Sequence, residues 1–166
     1  IVMPKFGTNT DSVVLFNTNV NITDNTPQTL HLTDTAANMK SVLVKNNIVG
    51  IADGICRFNF VHLMPNVPAV DLYLNGILMK ANIPYLGTSG AMDIPVGINA
   101  PGFVSGATTT WAIRAAGATS TSAALVSYAS ASGLQSGVAL TGFSMGYSAA
   151  TGARLPYLAY TLDRNK

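Results

Sequence analysis

His62 and Asp71 are the residues best suited to moving protons, and both stand in one stretch, VHLMPNVPAVDLYLNG, residues 61–76. A carboxylate that orients an imidazole makes a general base, and such a base beside a hydroxyl makes a nucleophile. The chain is rich in serine and threonine, but no nucleophile elbow is expected among them. Strand alternation also predicts that His62 and Asp71 point to opposite sides of the sandwich, which would forbid a dyad. The prolines give the stretch another meaning. Pro65 and Pro68 each fix φ at about −65° and push the residue before them into an extended conformation. The segment between the strands therefore reads as a stiff crossover whose N–H groups lack ladder partners. Asp71 is expected to accept those bonds, and His62 to be a satisfied hydrogen-bonding residue. On this reading the motif builds the fold.

Other chemistries find less support. His31 and His62 fall in different segments, and no D-x-D-x-D spacing appears, so neither a metal nor a cofactor is expected. Cys56 is alone, which rules out an intrachain disulfide and marks it as a small buried apolar residue. The nine basic residues form no run and the net charge is only +2, so phosphate neutralisation along a basic stripe is excluded. No apolar run is long enough for a membrane-spanning helix.

The elements that must position the motif are strands. Hydrophobic residues make up 48% of the chain and charged ones 10%, and all seven acidic residues are aspartates. Lacking Glu, a good helix former, and holding many Thr, Val and Tyr residues, the chain is expected to be all-β. CRFNFVH (56–62) alternates, with Phe58, Phe60 and His62 on one face and Arg57, Asn59 and Val61 on the other. AVDLYL (69–74) sets Val70, Leu72 and Leu74 against Asp71 and Tyr73. Asn75-Gly76 is the strongest two-residue hairpin signal, since both positions of a type I′ turn need positive φ. Further strands are expected at 77–83, 90–97, 108–115, 123–129, 137–145 and 155–162. Pro95 should hold its strand at an edge. Such a series of short strands separated by turns predicts an antiparallel, immunoglobulin-like β-sandwich. Residues 98–107 read as an irregular insertion.

A weak internal repeat sets the domain organisation. FGTNTDSVVLFNTNVNI (6–22) parallels AGATSTSAALVSYASAS (116–132), placing Gly7 opposite Gly117 and Leu15 opposite Leu125. Residues 24–34 then parallel 134–145 with a one-residue slip, and 35–47 parallel 148–165. An offset of roughly 110 residues matches a small sandwich domain. Residues 1–50 are accordingly expected to be the C-terminal strands of a first unit, and 55–166 a complete second one, joined by NNIVGIADG (46–54). A few strands with one apolar face cannot stand alone. They should pack on the second unit, on a further segment, or on another copy of the chain.

The run RFNFVHLMPNVPAVDLYLNG resembles the signature of a bacterial domain family of unknown function, numbered forty-three ninety-seven. The resemblance rests on Phe58, Phe60, His62, Pro65, Pro68, Ala69, Val70, Asp71, Tyr73 and Gly76. It continues at Pro95, Gly97, Ile113, Arg114 and Gly117. It implies tandem β-sandwiches in secreted or lipid-anchored envelope proteins, and brings no known activity. The insertion at 98–107 departs from the family pattern.

The expected function is thus a non-catalytic envelope or secreted module acting as spacer, adhesion or binding domain. Its partner would be a glycan or another envelope protein, met by the loops at 98–107 and 144–153. The alternative is a carbohydrate-binding accessory domain of a polysaccharide-use system, with Trp111, Phe103 and Tyr147 as ring contacts. Trp111 shares its strand face with Ile113, which favours a core position instead.

Overall fold

The computed structural model describes residues 2–4, 12–14, 16–97, 108–130 and 134–164. The insertion at 98–107, and Phe103 with it, lies outside the described residues. Two short hairpins come first: β1 (Val2–Pro4) with β2 (Ser12–Val14), and β3 (Gln28–Thr33) with β4 (Lys40–Lys45). The remaining strands are β5 (Ile55–His62), β6 (Ala69–Leu74), β7 (Ile77–Pro84), β8 (Met92–Pro95), β9 (Thr109–Ala115), β10 (Val126–Ser130), β11 (Ala139–Met145) and β12 (Tyr157–Arg164). These build two four-stranded sheets, ordered β10-β9-β6-β7 and β12-β11-β5-β8. Neighbours run antiparallel except β5 and β11, which run parallel. The molecule is an all-β sandwich with this strand order.

Alternation explains the core. Phe58 and Phe60 from β5 meet Val70, Leu72 and Leu74 from β6 and Trp111 and Ile113 from β9. The rings of Phe58 and Trp111 stack at 4.0 Å with 14° between their planes. Gly142 of β11 makes room for that stack, because a Cβ there would lie 2.5 Å from the tip of the Phe58 ring. Asn75 and Gly76 take φ of 48° and 80°, the left-handed pair the type I′ turn demands. Asn75 also bonds to Thr110 of β9 through backbone and side chain, both at 2.8 Å.

The hairpin β3–β4 lies on the outer face of the second sheet. Val44 and Val42 pack there against Val61, Leu63, Phe143 and Met145, and Thr33 Oγ1 donates to Leu63 O at 2.7 Å in a buried bond. Val61 is consequently 0% exposed, though it sits on the face opposite the core. Arg57 secures the connecting segment. Its guanidinium grips Asp93 of the edge strand through two bonds of 2.6 and 2.8 Å and donates to Val49 O at 2.7 Å.

Candidate functional site

His62 ends β5 inside the sandwich and is 0% exposed. Its Nε2 lies 2.8 Å from Val67 O, so Nε2 carries the proton and Nδ1 accepts, from Ser144 Oγ at 3.3 Å. The imidazole therefore ties the proline crossover to β11. Val67 N in turn closes a tight turn onto Met64 O. Asn66 clamps the outer side of the crossover, exchanging bonds of 3.0 and 2.9 Å with the backbone of Ser148.

Burial lowers the pKa of His62, and of His31 in the hairpin. Both imidazoles are held neutral when the unfolded chain, with pKa about 6.5, already binds protons. Their contribution to stability is thus complete above about pH 6.5 and declines as pH falls toward the folded values. The loss should reach at most about 1.4 kcal/mol per pH unit per histidine. Thermal melts from pH 7.5 to 5 should show a falling melting temperature, with a shallower slope in His62→Gln. A stability that rises on acidification over this range would contradict the assignment.

Asp71 takes the other side of the molecule. It alternates with the core residues Val70 and Leu72, so its carboxylate lies on the outer face of β6, where it is nevertheless 3% exposed. Oδ1 accepts from Asn82 N at 2.7 Å and Oδ2 from Gly117 N at 2.9 Å. Asn82 sits where the β6–β7 register shifts, with φ of 54°, and Gly117 opens the turn after β9 with φ of 81°. Tyr73 completes this cluster by donating to Ala118 O at 3.0 Å, with the Arg114 guanidinium 5.2 Å over its ring.

The expected division of labour is therefore corrected. Asp71 does not hold the crossover between Pro65 and Pro68; it holds the β7 bulge and the Gly117 turn. The crossover is held by His62. Strand parity is the reason: Asp71 faces the flanks of β7 and β9, whereas the end of β5 faces the crossover. Pro65 lines a cleft described below, and Gly76 serves its turn.

The sequence reading passed over one pattern. Gly142-Phe143-Ser144-Met145-Gly146 has the G-x-S-x-G spacing of a nucleophile elbow, and Ser144 is the hydroxyl beside His62. The structural context of an elbow is missing. Ser144 lies within β11 rather than on a strand-to-helix turn, it is 0% exposed, and a carbonyl takes the place of the orienting carboxylate.

Trp111 is 2% exposed and stacked in the core, which removes it as a ring for a ligand. Tyr147 does line a cleft. About 480 Å³ opens between the tip of the β3–β4 hairpin, Pro65 and the β11–β12 loop, with Asp34, Met39, Arg154 and Tyr157 around it. The Tyr147 hydroxyl donates to Asp34 Oδ1, which holds that carboxyl below its ordinary pKa and raises the phenol. Arg154 stands 5.9 Å over the Tyr147 ring. No protein-family model matches the chain, and no curated protein matches it. Among the described residues no helix is long and apolar enough to cross a membrane.

Proposed function

We propose that the chain is a non-catalytic β-sandwich module of a secreted or envelope protein, built from duplicated units and acting as a spacer, adhesion or binding domain. The observation that carries this reading is the use made of the apparent catalytic groups. His62 and Ser144 are sealed from solvent and bonded to backbone or to each other, while Asp71, in the other sheet, is spent on two N–H groups of that same sheet and its turn. No reacting atom could approach either imidazole nitrogen. The motif resemblance at 57–76 supports an extracytoplasmic envelope setting. A fluorophosphonate probe for activated serines tests the proposal: native protein should give no adduct by intact mass. An adduct at Ser144 would overturn it.

Carbohydrate recognition is the second reading. It draws on the cleft, where Tyr147 and the half-exposed Tyr157 offer ring faces beside a carboxylate and a guanidinium.

A further inference from the structure

We infer that the junction between the β3–β4 hairpin and the sandwich is a pairing of equivalent faces about a pseudo-twofold axis, so that units of this kind join two at a time. This rests on the duplicated-unit reading and deepens it by naming the partner: another unit presenting its own β11–β12 face.

The registers superpose. Gln28 pairs with Lys45 and Thr33 with Lys40 in the first hairpin; Leu140 pairs with Leu162 and Met145 with Tyr157 in the second. Set in that register, which moves the first strand a residue or two along from the alignment read in the sequence, Thr29 corresponds to Thr141, His31 to Phe143 and Asn46 to Asp163. Two independent features fall into the same alignment. The residue leaving each first strand has a left-handed backbone, Asp34 with φ of 77° and Gly146 with φ of 88°. The same fastener recurs as well: Asn46 Nδ2 donates to Thr29 Oγ1 at 3.0 Å, and Thr141 Oγ1 donates to Asp163 Oδ2 at 2.6 Å.

Counterparts then meet across the junction. Asn46 Nδ2 donates to Asp163 Oδ1 at 3.0 Å, and the rings of His31 and Phe143 lie 5.6 Å apart. A residue touches its own counterpart when it lies near a twofold axis, where the same patch serves both sides. Such a contact closes at two, because each face is consumed by its equivalent. The opposite row of the hairpin fits the same equivalence. Leu30 and Leu32 correspond to Gly142 and Ser144, which face Phe58 and His62 in the complete sandwich, and Leu30 is 41% exposed.

Interchange of counterparts is the test, on the full chain at pH 7. Asn46→Asp sets a carboxylate against Asp163 and should lower the folding constant at least about tenfold. Adding Asp163→Asn should recover it to within about threefold of wild type, because the pair has only changed sides. His31→Phe with Phe143→His should likewise be milder than the sum of its single variants. Additive losses in both interchanges would overturn the twofold pairing. If wild type nonetheless keeps cross-peaks between the His31 and Phe143 rings, the docked module survives that failure; their absence would remove both.

Discussion

Asp71→Ala should lower the stability of the chain by about 3–5 kcal/mol, since each lost bond to a charged acceptor is worth about 1.5–3 kcal/mol. The carboxylate is 3% exposed and serves Asn82 N of β7 and Gly117 N of the turn after β9. Removing it leaves two donors without a partner where water has little access. Asp71→Asn should fall between the two, because its amide can accept one of those bonds but presents a donor to the other. Urea unfolding followed by far-UV circular dichroism measures both. The loss is large against the roughly 5–15 kcal/mol of a typical domain. An Asp71→Ala protein with the wild-type midpoint would mean that the carboxylate is free for another task.

Trp111→Ala should cost a similar amount, about 3–5 kcal/mol, as expected for a large ring deleted from a packed core. The indole is 2% exposed and lies flat on Phe58, which Gly142 in turn accommodates. Since Trp111 is the sole tryptophan, the unfolding transition of the variant must be read by circular dichroism. A ring displayed for a ligand would behave in the opposite way: its removal would leave stability unchanged and abolish binding.

Much of the sandwich was legible in the sequence because its signals are local. Alternation placed β6 at Ala69–Leu74, and Asn75-Gly76 fixed the turn that follows. Boundaries slipped where polar residues satisfy each other. Thr119 bonds Thr121 and Ser122 in a turn just before residue 123, where the strand was expected to begin, and β10 starts only at Val126. The burial of Val61 was beyond local pattern, since a hairpin distant in sequence covers it. The partners of His62 and Asp71 were hidden for the same reason. Parity told that the two side chains diverge, but Val67, Asn82 and Gly117 become neighbours only once the sheets are stacked. The Ser144–His62 contact had a legible signal in G-x-S-x-G spacing, whose meaning changes when the serine lies within a buried strand.

Native-state hydrogen exchange tests most directly whether these groups are fasteners of one body. The account predicts that the amides of β3 and β4, together with those of Asn82 and Gly117, exchange only through the global unfolding that also releases β5, β6 and β11. Rapid exchange of β3 and β4 through a small local opening, while the sandwich amides stay protected, would contradict it.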